Sequence, residues 1–148
     1  MVEEQIDWRK TVEAILENAN RPFVPISKSF IQQPRGSKER SSVLSQFVTN
    51  GDLRGLKAYL LIAASASSPD TENEWYTSLP LQTWARAFGC SETAGSIATA
   101  KAAATRILLR LQQRGLIEKS RCGKERKIKI KLLAQDGSGE EYQRPASR

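Results

Sequence analysis

The sequence predicts a mainly α fold with a small β-hairpin near its C-terminal end. Three observations carry that expectation. Apolar residues recur at spacings of three and four through most of the chain, the period of a helix with one buried face. Caps and breakers separate those segments, notably Asp7, Asn50-Gly51-Asp52, Pro80, Gly89 and Gly115. From Leu116 onward the period changes to two, as in a half-buried strand. The length of 148 residues suits one domain with tails, and a hydrophobic fraction of 39% can build a core.

The elements follow in order. Asp7 can cap a helix beginning at Trp8, with Val12, Ile15, Leu16 and Ala19 on its apolar side. Arg21-Pro22 ends it, because the residue before proline avoids the α region. Residues 21–37 hold Pro22, Pro25, Pro34 and Gly36 and read as an extended arm anchored by Phe23, Val24, Ile26, Phe30 and Ile31. Ser37 to Phe47 forms a short helix. Asp52 caps a helix from Leu53 to about Ala66, with Leu53, Leu56, Tyr59, Leu60 and Ala63 as its buried stripe. Residues 67–74 are a polar loop, and Trp75-Tyr76-Thr77 is a brief strand.

Pro80 fits the first turn of the next helix, Leu81 to Phe88, where its missing N–H goes unused. Gly89 stops that helix, and Cys90-Ser91-Glu92-Thr93 makes a turn. An alanine-rich helix then runs from about Ala94 to Gln113 and ends at Gly115. At about 100° per residue, Ile97, Ala100, Ala104, Ile107, Leu108 and Leu111 share the core face. Thr99, Ala102, Arg106, Arg110 and Gln113 share the outward face. Leu116–Arg121 and Arg126–Leu133 are two strands joined by Cys122-Gly123-Lys124-Glu125. The tail from Ala134 is polar and loose.

Helix, short strand, helix, turn, longer helix and hairpin is the order of a winged helix-turn-helix. The stretch Leu111-Gln112-Gln113-Arg114-Gly115-Leu116-Ile117-Glu118-Lys119, followed by a basic hairpin, resembles bacterial winged-helix regulators, including the multiple-antibiotic-resistance-regulator type. The resemblance covers about residues 52–133. It implies the winged fold and sequence-specific binding of double-stranded DNA, as a transcriptional regulator in the cytoplasm or nucleoid. The family's effector and dimerisation helices have no counterpart outside 52–133, so neither ligand nor dimer arrangement carries over. The expected organisation is an acidic N-terminal helix over 1–20, an extended basic arm and short helix over 21–50, the winged domain over 51–133, and a polar tail over 134–148.

Charge distribution points the same way. The formal net charge is +7, yet residues 101–133 alone hold eleven basic and two acidic side chains. Residues 21–60 hold seven and two, whereas 1–20 and 61–100 are net acidic. Concentrated positive charge suits a polyanion, most simply nucleic acid. A solvated basic surface without a partner is the alternative.

The expected contacts to DNA divide among three regions. The start of helix 94–113, with Ser96, Thr99 and Lys101, would lie deepest in a major groove. Arg106 is the best placed for guanine, and Arg110 for phosphate. The small residues Gly95, Ala102 and Ala103 allow close approach, although plain helix propensity is the better explanation for Ala102 to Ala104 taken together. The wing offers Arg121, Lys124, Arg126, Lys127, Lys129 and Lys131. In its second strand Ile128, Ile130 and Leu132 alternate with lysines, so one face is apolar and the other cationic. Lysines protecting an exposed edge strand are the competing explanation. Arg35, Lys38 and Arg40 in the arm would enter a minor groove, or the arm merely packs on the domain.

Several function classes are disfavoured. With no histidine, the chain lacks a Ser/His or Cys/His pair, and an enzyme is not expected. Cys90 and Cys122 form no CxxC pair and read as two thiols in a reducing compartment. No metal or cofactor is expected; Asp70, Glu72 and Glu74 match no metal-binding spacing. The longest apolar run, Tyr59 to Ala64, is too short to span a membrane, and the acidic start with Glu3 and Glu4 is unlike a signal peptide. A replication or partition component, or a protein-interaction module on the same fold, remains the alternative function. A homodimer through the N-terminal helix is a further expectation, with Trp8, Val12 and Ile15 either at that interface or folded back on the domain.

Overall fold

The computed structural model describes residues 8–19, 26–32, 41–66, 75–90, 95–122 and 127–142. Within them are six helices and three strands: α1 (Trp8–Ala19), α2 (Lys28–Ile31), α3 (Val43–Thr49), α4 (Leu53–Ser65), β1 (Tyr76–Pro80), α5 (Leu81–Ala87), α6 (Ile97–Gln113), β2 (Ile117–Cys122) and β3 (Lys127–Leu132). The Asp7 cap, the acidic loop 67–74, the turn 91–94 and the hairpin turn 123–126 lie outside the described residues.

Four helices start at a residue whose short side chain accepts from a backbone N–H of the first turn. Ser27 serves α2, Ser42 serves α3, Asp52 serves α4 and Ser96 serves α6, at 3.0–3.2 Å. Each satisfies one of the donors that a helix start leaves unpaired. Helix α6 ends in the reciprocal way. Leu116 N–H donates to Leu111 C=O at 3.1 Å and Gly115 N–H to Gln112 C=O at 3.0 Å, with Gly115 at φ 73°.

The strands form one antiparallel sheet in the order β1-β3-β2. Thr77 stands opposite Ile130 and Leu79 opposite Ile128; Ile117 stands opposite Leu132 across β2. Opposite residues share a face, so these make the apolar side. The helices cover it: α4 contacts β1 and β3, and α6 contacts β2. Between them Tyr59, Ile62, Trp84, Phe88, Leu108, Leu111, Leu116, Ile117, Ile130 and Leu132 are fully buried. Trp84 stacks on Phe88 at 5.6 Å, and Phe30 on Tyr59 at 5.3 Å.

Several expectations change. The extended arm gives way, over Lys28–Ile31, to one helical turn capped by Ser27, which drives Phe30 into the core against Tyr59 and Phe47. Helix α3 begins at Val43, because Ser42 is its cap. Pro80 is the last residue of β1 and the cap of α5 rather than its first helical residue; β1 is an edge strand, where proline costs no central ladder bond. On α4 the buried set is Gly55, Ala58, Tyr59, Leu61, Ile62, Ala63 and Ala64, whereas Leu53 is 70% exposed and Leu60 is partly exposed. Ile97 likewise faces outward, since it sits in the first turn of α6 beyond the reach of the core.

The tail differs most. Its described part, 134–142, is packed, with Gln135 and Tyr142 buried. Ala134 N–H donates to Glu140 C=O, Leu133 bridges to Glu141, and the Tyr142 ring meets Trp75 edge-on at 6.1 Å. The Gln135 side-chain carbonyl accepts from Ser27 N–H, which ties this segment to α2. A polar composition hid two residues that are buried close to Tyr59.

Candidate nucleic-acid interface

Helix α6 turns its apolar residues inward, and that leaves Thr99, Ala102, Arg106, Arg110 and Gln113 exposed on the opposite side. Ser96 and Thr99 are exposed at its start, but both are engaged in the cap. The Ser96 hydroxyl accepts from Thr99 N–H, and the two hydroxyls are 2.9 Å apart. Lys101 is half-buried. Arg106 is exposed one turn further on.

Arg110 is not simply a solvated cation. Its Nη2 lies 3.2 Å from Asp52 Oδ1, and Arg114 Nη2 lies 3.6 Å from Asp52 Oδ2. Asp52 also accepts from Gly55 N–H as the α4 cap. One carboxylate thus serves a helix start and two guanidinium groups of another helix. The Arg114 guanidinium lies over the Phe47 ring, 4.4 Å from its centre.

The first turn of α4 and the middle of α6 line a cleft of about 390 Å3. Its walls are Gly51, Asp52, Leu53 and Arg54 on one side and Ala103, Arg106, Ile107 and Arg110 on the other. The Cys90 thiol is buried within electrostatic reach of this side of the molecule. Burial pushes the thiol above its usual value, while the positive charges of Arg54, Lys57 and Arg106 act the other way. Three cations from two helices therefore act on one point. Arg54 and Lys57 were not among the residues expected from sequence. The available signal was their three-residue spacing on the polar side of a capped helix.

The cationic face of the sheet holds Lys127, Lys129 and Lys131, with Tyr76, Ser78 and Pro80 opposite them on β1 and Glu118 and Ser120 on β2. Because β3 is the central strand, edge protection does not explain its lysines. Lys129 Nζ lies 4.4 Å from the centre of the Tyr76 ring, a cation–π contact that fixes the amine on the sheet surface. Arg121 pairs in register with Ile128, at the alternate set of positions from the lysines. Lys124 and Arg126 in the hairpin turn, and Arg35, Lys38 and Arg40 in the arm, lie outside the described residues.

A second concavity, of about 390 Å3, lies between α1 and α4 and is apolar. Val12, Leu16, Leu53, Leu56, Leu60 and Leu61 contribute to it. Ile15 of α1 is buried in the core, so this side of the helix folds back on the body and leaves Leu16 partly exposed. Among the described residues no three Cys, Asp or Glu side chains gather where they could hold a metal ion, and no helix is long and apolar enough to cross a membrane.

Compared with protein-family models, with curated proteins and with solved structures, the chain finds no match in any of the three.

Proposed function

We propose that the chain binds double-stranded DNA as a transcriptional regulator, with α4 to β3 acting as a winged helix-turn-helix. In this reading residues 94–113 enter the major groove and the wing, residues 116–133, lies on the backbone or minor groove. The observation that carries it is the composition of the outward face of α6. Thr99, Ala102 and Arg106 combine small size with positive charge and have no covering element among the described residues. The β1-β3-β2 sheet, with three lysines on its central strand, supports the assignment of a wing. Fluorescence polarisation with a random-sequence duplex tests the reading. Binding at about 50 mM salt that weakens steeply as salt rises is expected from release of phosphate counterions, and no binding at that salt overturns it.

Pairing of two copies belongs to the same proposal, since modules that read two half-sites do so as dimers. Leu16, Leu53 and Leu60 give α1 and α4 a shared apolar edge for it. Light scattering after size exclusion decides the matter: a monomer at the concentration where DNA is bound removes this part.

A protein-interaction module is the second reading, favoured by Ile97 and Leu109, which are exposed on α6 at 61% and 41%. It predicts that charge removal on α6 and β3 leaves function intact.

A further inference from the structure

The outer face of the sheet carries more than positive charge. Register places Tyr76 and Ser78 of β1, Glu118 and Ser120 of β2 and the lysines of β3 on one side, away from the core. None of these residues is buried, whereas Thr77, Ile117, Ile130 and Leu132 on the other side all are. Among the described residues this face holds one acid, Glu118, against three lysines. A surface of that sign suits a polyanion.

Lys129 stands at its centre. Ser78 and Ser120 are its cross-strand neighbours, and its ammonium lies 4.4 Å from the centre of the Tyr76 ring. That ring is what a duplex leaves unused. Base faces in a duplex are stacked on one another, and only base edges reach the grooves. An unpaired base has a free face, which an aromatic side chain takes by stacking. A cation–π contact at a partly exposed site is weak, so the ammonium can exchange the ring for a phosphate, where the bond is charge-assisted. The exchange uncovers the ring for the base. Alternate positions on a strand lie about 7 Å apart, so Lys127 and Lys131 fall along the path of the same backbone.

We propose that this sheet face binds single-stranded DNA, with one base stacked on Tyr76 and the adjoining phosphate on Lys129. The choice of DNA over RNA rests on the duplex-binding reading above, because a strand freed from a bound duplex is DNA. The affinity for a single strand does not rest on it.

The experiment compares wild type, Tyr76→Leu, Tyr76→Phe and Lys129→Gln, with a thermal melt of each as the control on folding. Fluorescence polarisation follows short oligo(dT), oligo(U) of equal length and a short duplex across several salt concentrations. Wild type is expected to bind oligo(dT) at about 50 mM salt. Tyr76→Leu is expected to bind oligo(dT) about tenfold more weakly and the duplex as wild type does. Tyr76→Phe, which keeps the ring, is expected to match wild type on both. Lys129→Gln is expected to flatten the dependence of log K on log salt for oligo(dT) by about 0.7, the value of one phosphate on a single strand. That slope decides the matter if Tyr76→Leu does not fold. Wild type without affinity for oligo(dT) at that salt overturns the proposal. So does a folded Tyr76→Leu protein that binds oligo(dT) as wild type or loses duplex affinity equally, and so does an unchanged slope in Lys129→Gln. Tighter binding of oligo(U) overturns the assignment to DNA. A wild type that binds oligo(dT) but no duplex supports this site and overturns the reading above.

Discussion

Asp52 and Arg110 meet at 3.2 Å across the crossing of α4 and α6. The pair joins the cap of one helix to the outward face of the other. Arg110, expected from sequence as a phosphate contact, thereby also holds two helices in register. Its side chain is 49% exposed, so the ion pair itself is worth little in water. The cap and the more buried Arg114 carry most of the energy at this junction.

Substitution of Asp52 separates those contributions. Asp52→Ala removes the acceptor for Gly55 N–H and strips Arg114 of its carboxylate, and is expected to cost about 2 kcal/mol. Asp52→Asn keeps a cap acceptor and is expected to cost less than half as much. Urea denaturation measures both; equal losses would mean that charge pairing, not capping, dominates.

Gly115 sits at φ 73° with no room for a side chain. A Cβ there would lie 2.6 Å from the Gly137 carbonyl oxygen and 3.0 Å from the Gly139 nitrogen. Gly89, at φ 78°, has nothing within 4 Å of the same position among the described residues. Gly89→Ala is therefore expected to cost about 1 kcal/mol from backbone conformation alone, and Gly115→Ala at least about 2 kcal/mol more. Similar melting temperatures for the two variants would refute the close approach of the 137–139 turn.

Tyr142→Ala should behave as a core truncation despite its place near the end of the chain. The ring is buried against Trp75, and its loss is expected to cost roughly 3 kcal/mol in equilibrium denaturation. A cost within about 0.5 kcal/mol, typical of surface sites, would return the segment to the loose tail that its composition suggests.

Burial pushes the Tyr59 phenol well above its usual value, and the nearby Tyr142 adds to the effect. The folded chain then keeps a proton that the unfolded chain releases near pH 10. This contribution to stability is complete below about pH 10 and is lost as pH rises past it. Urea midpoints followed into that range are expected to fall more steeply for wild type than for Tyr59→Phe. Parallel curves would show that the phenol ionises without unfolding.

Lys127→Gln combined with Lys129→Gln tests the sheet face without creating like charges opposite Glu118, which pairs with Lys131. The double variant is expected to bind duplex about tenfold more weakly at low salt with an unchanged melting temperature. Undiminished binding would confine the interface to α6.

The sequence was informative wherever a local rule governed. Asp52 and Gly115 mark the edges of α4 and α6 through hydrogen bonds within a few residues, and the outward face of α6 follows from helical period alone. Distant partners were the harder part. Phe30 enters the core because Tyr59 and Phe47 offer it a surface, and the prolines around it suggested only an extended chain. Gln135 and Tyr142 are buried by α2 and Trp75, to which no sequence period points. The alternation in β3 showed that one face is lysine, but not that β1 would flank it and make it central.

The bond between Ser27 and Gln135 joins positions 108 residues apart. A contact of that span closes a very long loop, and topology of this kind slows folding. During synthesis α4, β1 and α5 emerge well before the segment that covers them. Tyr59 and Phe30 therefore stay partly uncovered until residue 142 has left the ribosome. Completion of the core waits on residues that follow β3, and a nascent chain halted after β3 would expose the apolar surface that chaperones recognise.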